Sequence, residues 1–184
     1  RDLHISIRRQ RQMCIRDRLE APKDVVTYAL KKANNLNVKT IFNPAPAAEI
    51  DSSLFPLIDY FTPNETEASF YVDHDVVTYE DAKKAASQLL DKGIKNVVIT
   101  LGEKGAYFAN SEEKFSLPIA NLSNPVVDTT GAGDAFNAGL AVALTEGQNI
   151  KDSLIFASAT AGLSTTKIGT ANSMPSREEI DRIL

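Results

Sequence analysis

Cysteine occurs once in the 184 residues, at Cys14; tryptophan is absent, and histidine occurs only at His4 and His74. One cysteine excludes an internal disulfide framework and a cysteine-cluster zinc site. Two histidines leave little for a histidine-rich metal centre. Long hydrophobic runs are lacking, and stretches such as Val97–Ile99 fall far short of a membrane span. Basic charge is not in excess: the net charge is −4, which argues against a general nucleic-acid surface. Only nine glycines and eight prolines exclude collagen-like or low-complexity sequence. With 43% hydrophobic and 24% charged residues, the composition is that of an ordinary globular domain, long enough to bury a core.

Charge is unevenly spread. The six arginines and two aspartates of residues 1–18 give +4, so residues 19–184 carry −8. A break this sharp marks a boundary. No long apolar stretch follows the basic residues, so a secretory signal is not expected, and absent signals point to the cytoplasm. Residues 1–18 are read as an atypical, non-native segment, and Cys14, which lies in it, is given no catalytic role. Residues 19–184 are read as the domain proper.

Within residues 19–184, hydrophobic periodicity outlines an α/β protein. Residues 22–35 read as a helix, with Pro22 in its first turn and Val25, Val26, Ala29, Leu30 and Ala33 at helical spacing. Val38–Phe42 and Leu57–Phe61 read as strands ended by prolines. Asn64 opens a short helix. Residues 79–92 are the clearest amphipathic helix, with Ala82, Ala85, Ala86, Leu89 and Leu90 on one face and Gly93 as the stop. Val97–Leu101 has the continuous apolar character of a strand buried on both faces. Ala106–Ala109 and Lys114–Leu117 flank a polar turn and predict a hairpin. Two helices then run to about Glu146 and over 151–165, and a short one starts at Arg177. Tyr60 and Phe61 are expected in the core and His74 on the surface.

The stretch with most chemical content is Val126–Leu144, VVDTTGAGDAFNAGLAVAL. Gly131 and Gly133 let backbone approach a ligand closely at a helix start, where free N–H groups and the positive end of the dipole favour an anion. Asp134 lies in the same turn. A carboxylate beside a phosphate site gains a purpose if it takes the proton of a hydroxyl attacking that phosphate. A bare G-x-G-D would more simply be a glycine turn capped by an acid. The chain has no G-K-[ST] of a P-loop and no G-x-G-x-x-G dinucleotide fingerprint.

The longer string DTTGAGDAF resembles the second signature of the ribokinase-like (PfkB) carbohydrate kinase family. Asn43-Pro44-Ala45-Pro46-Ala47, Thr62-Pro63-Asn64-Glu65-Thr66-Glu67-Ala68 and Ile99-Thr100-Leu101-Gly102-Glu103-Lys104-Gly105 resemble further family segments, in order and at similar spacing. The likeness runs from about Leu19 to the C-terminus. It implies a three-layer α/β/α fold with a mostly parallel sheet and a late antiparallel hairpin. It also implies ATP-dependent phosphorylation of a sugar's primary hydroxyl. The NPAP and TPNETEA segments point to members that convert D-ribose to ribose 5-phosphate. Fructose, deoxyribose, a sugar acid or a nucleoside are alternative substrates, and an inactive nucleotide-binding fragment is the alternative of another class.

The resemblance also assigns residues. Asp134 matches the catalytic base that meets the sugar hydroxyl, and the backbone of Gly131, Ala132 and Gly133 matches the anion hole for the transferring phosphate. Asn64 and Glu67 match an N-x-x-E motif near the ATP phosphates that organises Mg²⁺ through water; residue physics alone reads them as a capping box. Thr100, Leu101, Gly102, Glu103, Lys104 and Gly105 match the loop lining the nucleotide. Ser158 stands where family members commonly place Asn near the adenine. Asp128 and Thr130, with Ser164, Lys167, Gly169 and Ser173, match a monovalent-cation (K⁺) site, Ser164, Lys167 and Gly169 contributing carbonyls. Asp128 otherwise only orders its turn. Glu20 matches an acidic residue that contacts the sugar.

The family's front part has no counterpart here. It supplies an early sugar-gripping Asp, a Gly-Gly motif and a small β-lid that often forms a homodimer. The expectations are therefore an incomplete kinase with an uncovered sheet edge, small-molecule sugar and ATP as partners, and no nucleic-acid or membrane partner.

Overall fold

A computed structural model gives the fold, and it describes residues 15–18 and 21–184. The chain divides into two compact units, Arg1–Ser116 and Leu117–Leu184. The first contains β1 (Ile15–Arg18), α1 (Lys23–Asn35), β2 (Thr40–Asn43), β3 (Tyr60–Phe61), α2 (Glu65–Tyr71), α3 (Tyr79–Asp91), β4 (Asn96–Thr100) and β5 (Ala106–Ala109), and closes on β6 (Lys114–Leu117). The six strands form one sheet in chain order. β1 through β4 are parallel, with Ile15 opposite Thr40, Ile41 opposite Tyr60 and Phe61 opposite Val97. β5 returns antiparallel, with Val98 opposite Phe108.

The inner parallel strands are apolar because neither face meets water: every residue of β2 is buried, as are Val97, Val98 and Ile99 of β4. One face carries α1, α2 and α3. Val26 and Leu30 of α1, Ala68 and Tyr71 of α2, and Ala82, Ala85, Ala86 and Leu89 of α3 share a core with Phe42, Phe61, Val97 and Ile99. Phe61 sits at its centre, stacked on Phe42 with ring centroids 6.0 Å apart and edge-on to Tyr71 at 5.3 Å. Phe61 is fully buried, which is worth about 2–3 kcal/mol in apolar burial alone.

Three local readings are corrected. The strand expected from Val38 begins at Thr40, because Val38 still belongs to the end of α1. Its N–H donates back to the Ala33 carbonyl at 2.9 Å, and Asn37 takes a left-handed φ of 53°. The strand expected over Leu57–Phe61 shrinks to Tyr60–Phe61, because Ser52–Leu57 winds into a 3₁₀ turn containing Pro56. Asp59 then replaces a ladder contact with its side chain, accepting the Thr40 N–H at 2.8 Å and pairing with Lys95 at 2.7 Å. Third, Ile15–Arg18, inside the basic segment where no strand was expected, pair with β2. Cys14 lies outside the described residues. His74, expected on the surface, is only 16% exposed in its side chain, and its Nε2 lies 3.2 Å from the Asp81 carbonyl.

The second unit is helical: α4 (Ala132–Thr145), α5 (Ile150–Ser164) and α6 (Arg177–Asp181). α4 and α5 pack closely through small residues. A Cβ on Gly139 would lie 2.7 Å from Thr160 Oγ1 and 3.0 Å from Ala157 Cα. Ala143, Phe156, Ala159 and Ile180 form a core below this contact. Arg177 ties α6 down: it pairs with Glu146 at 2.6 Å and Asp181 at 2.8 Å, and its guanidinium lies over the Phe156 ring at 4.9 Å. No helix among the described residues is long and apolar enough to cross a membrane.

Candidate active site

Each unit carries one cluster of the candidate residues. In the first unit the cluster sits at the C-terminal end of the parallel strands, the usual place for ligands in open α/β sheets. Thr62 and Pro63 end β3, and Asn64 caps α2. The Thr100 N–H donates to the Pro63 carbonyl at 3.0 Å, and Asn64 and Thr100 form a parallel bridge. Asn64 and Glu67 therefore stand beside the start of the Thr100–Gly105 loop. The capping box is realised: the Glu67 N–H donates to Asn64 Oδ1 at 2.8 Å, and the Asn64 N–H donates to Glu67 Oε2 at 2.9 Å. Glu67 is buried at 7% exposure. A buried carboxylate is retained only where hydrogen bonds or a cation hold its charge, and the N-terminal turn of α2 supplies the donors. The loop makes one 3₁₀ turn, Gly102–Lys104. Glu65 Oε1 approaches to 3.7 Å of where a Gly102 Cβ would be.

In the second unit the glycine string forms the first turn of α4. Gly131 is its N-cap at φ 79°, ψ 4°, a left-handed conformation that L side chains resist. A Cβ there would also meet Thr170 Cγ2 at 3.1 Å, whereas one on Gly133 would find nothing within 4 Å. The Ala132 N–H is used internally, donating to the Thr129 carbonyl at 3.1 Å. The N–H groups of Gly131 and Gly133 reach no protein acceptor among the described residues. Two donors at a helix start, with open space before one of them, are an arrangement that favours an anion. Asp134 is the acid of this first turn and half-buried. Behind it lies Asn137, a residue not singled out from the sequence. It is 1% exposed and its Nδ2 donates to the Gly133 carbonyl at 2.8 Å. An asparagine set in the apolar run AFNAGLAVAL, four residues after Gly133, was the available signal.

The glycine turn is fastened to the loop after α5. Asp128 accepts the Thr130 N–H through Oδ1 at 2.9 Å and the Gly169 N–H through Oδ2 at 3.0 Å. These two donors, Gly169 first, hold its carboxyl below the usual range. The Val127 and Asp128 N–H groups donate to the Thr165 carbonyl at 2.8 and 3.1 Å. Asp128 thus orders its turn and joins it to the loop of Ser164, Lys167 and Gly169. The carbonyls of those three accept no protein donor among the described residues. Carboxylate and carbonyl oxygens are the donor type that a hard cation takes. Ser173 is fully buried and its hydroxyl donates to the Thr170 carbonyl at 2.7 Å. The Lys167 ammonium turns away to Glu179 at 2.8 Å. Ser158 lies midway along α5, half-buried. Glu20 lies outside the described residues. No group of three or more His, Cys, Asp or Glu is placed to hold a metal among the described residues.

Strands and helices thus define a class, α/β proteins with a mostly parallel sheet and a glycine turn opening a helix. Comparison with known proteins narrows it. Residues 18–177 match the pfkB family carbohydrate kinase model, and the chain belongs to that family. It is 40% identical over 166 residues to a ribokinase of Haemophilus influenzae, covering 90% of this chain and 54% of the relative. It is 34% identical over 167 residues to a deoxyribokinase of Salmonella typhi, covering 90% and 54%. An Arabidopsis thaliana ribokinase solved with ribose and ATP superposes with a TM-score of 0.88 at 31% identity, over 92% of this chain and 55% of that one. The expected ribokinase-like α/β fold is therefore present. The chain spans about half the length of the curated relatives it matches.

Proposed function

We propose that this region belongs to an ATP-dependent kinase that phosphorylates the primary hydroxyl of a sugar, with D-ribose the favoured substrate. The observation that carries the reading is the α4 turn, in which two outward N–H donors and the Asp134 carboxylate occupy one helix start. Asp134 acts as the base for the attacking hydroxyl. The N–H groups of the Gly131–Gly133 backbone receive the charge that develops on the transferring phosphate, and being fixed they do so without reorganisation. Asn64 and Glu67 stand at the ATP phosphates, where Glu67 organises Mg²⁺ through water. Mg²⁺ held there would neutralise charge on the phosphates, and because it commonly keeps several waters one carboxylate would suffice. The Thr100–Gly105 loop lines the nucleotide, Ser158 stands near the adenine, and Glu20 contacts the sugar. Asp128, Thr130 and Ser173, with the carbonyls of Ser164, Lys167 and Gly169, would hold K⁺, which would stiffen the turn that opens α4.

Both the identity to ribokinases and the ribose–ATP complex of the A. thaliana relative support this reading. The deoxyribokinase relative makes deoxyribose the substrate to test beside ribose. The residues that would choose between them belong to the half of the relatives that this chain does not span. Residues 1–18 are proposed to be foreign to the domain even though Ile15–Arg18 pair with β2, and the 184-residue chain to be an incomplete kinase whose complete form dimerises through a lid.

The test is coupled ADP release with ATP, Mg²⁺ and K⁺, with ribose, deoxyribose or neither. It is run on the chain alone and on the chain joined to the front half of the H. influenzae relative. Ribose-dependent ADP from the joined protein is expected. Asp134→Asn should lower it by about a thousandfold, within the usual span for general base catalysis, with ATP affinity kept. An Asn variant of near-native turnover refutes Asp134 as the base.

A further inference from the structure

The Thr100–Gly105 loop is fastened from outside as well as within. Its internal bonds are local: the Leu101 N–H donates to the Gly105 carbonyl at 2.8 Å, Lys104 to Leu101 at 3.0 Å and Gly105 to Gly102 at 3.1 Å. Alone, such a turn is exposed along Gly102, Glu103 and Lys104 and keeps little of its shape. Two tethers run from it to the start of α3. The Tyr79 hydroxyl donates to the Lys104 carbonyl. The Lys104 ammonium donates to the Val77 carbonyl at 2.8 Å. The two bonds run in opposite directions between the same two segments and close a clasp.

The anchor is rigid. Thr78 and Asp81 form a capping box, and Asp81 Oδ2 accepts the N–H groups of Thr78 at 2.9 Å and Val77 at 3.3 Å. The helix behind it buries Ala82, Ala85, Ala86 and Leu89 completely. The clasp also engages Lys104. One of the three N–H donors of its ammonium is spent on the Val77 carbonyl.

We infer that Tyr79 is a positioning residue: by clasping the Lys104 carbonyl to the start of α3 it holds the 102–105 backbone in the shape that receives the nucleotide. This rests on the reading of that loop as the nucleotide lining. One hydroxyl bond sets the expected size, about three- to tenfold in affinity.

The experiment uses the 184-residue chain. Tyr79→Phe removes the hydroxyl and keeps the ring. ATP and inorganic triphosphate affinities are measured by calorimetry, and amide exchange is followed at residues 102–105. Tyr79→Phe should speed exchange there and weaken ATP about three- to tenfold while leaving triphosphate binding unchanged. Lys104→Ala should behave likewise, and Lys104→Arg, which can still donate to Val77, should restore the native values. An ATP affinity unchanged in Tyr79→Phe overturns the inference. So does an equal loss for ATP and triphosphate, which would mark general loosening. A native chain that binds triphosphate but shows no preference for ATP refutes the nucleotide reading of the loop and this inference with it. Faster exchange in Tyr79→Phe would then still show the clasp, so the two failures are told apart.

Discussion

Gly133→Ala separates two reasons for a glycine at a helix start. Gly131 needs its left-handed φ of 79°, but Gly133 has an ordinary helical backbone and a Cβ there would find no atom within 4 Å. Judged on folding alone, alanine is the better residue at 133. It lowers the freedom of the unfolded chain and favours the helix, which together should raise stability by about 0.5–1 kcal/mol. Side chains on a helix tilt toward its N-terminus. The new methyl would therefore enter the space in front of the first turn, where the Gly133 N–H points and where the proposed anion sits. Losing one charge-assisted hydrogen bond there costs about 1.5–3 kcal/mol, or about ten- to a hundredfold in affinity for ATP.

Urea denaturation followed by circular dichroism gives the first quantity, and calorimetric titration with ATP gives the second. Gly131→Ala is the control with the opposite sign. It places a side chain at positive φ, costing about 1–2 kcal/mol, and presses on Thr170 at 3.1 Å. The expected pair is a Gly133→Ala protein more stable than native but poor in ATP, and a Gly131→Ala protein less stable than native. A Gly133→Ala protein that binds ATP as the native chain does would refute the proposed anion site. One destabilised as much as Gly131→Ala would refute the account of the turn.

Potassium in place of sodium should stimulate the complete enzyme, measured by coupled ADP release. Asp128→Ala, which strips the acceptor from the Thr130 and Gly169 N–H groups, should abolish the difference; a native enzyme indifferent to the two cations would dismiss the site. Acid should loosen α6 through Glu179, whose carboxyl is drawn down from 4.5 to about 2 by the Lys167 ammonium and then the Ser176 N–H. A lowered folded-state value stabilises above the unfolded one, so this contribution is full above pH 4.5 and is lost as pH falls toward 2. The Tm gap between native and Glu179→Gln should accordingly close between pH 6 and pH 2, and a gap constant across that range would remove the Lys167–Glu179 pair from the account.

What could be read from the residues follows the range of the forces involved. α3 and the β5–β6 hairpin come out as expected, because a helical stripe of alanines and leucines and a polar turn between apolar runs are local properties. The glycine turn was legible for the same reason, since Gly131, Gly133 and Asp134 act within a single turn. β1 was not. Ile15-Arg16-Asp17-Arg18 has no apolar pattern of its own and becomes a strand only through Thr40–Asn43. Asp59 was hidden likewise, because its carboxylate serves Thr40, nineteen residues earlier. The clasp joins residues 25 and 27 positions apart, and nothing at Tyr79 or Lys104 announces it. The Lys104 motif was readable, but the direction of its ammonium was not. A family motif therefore identifies the segment that meets the nucleotide, while the contacts that hold it in shape must come from the fold.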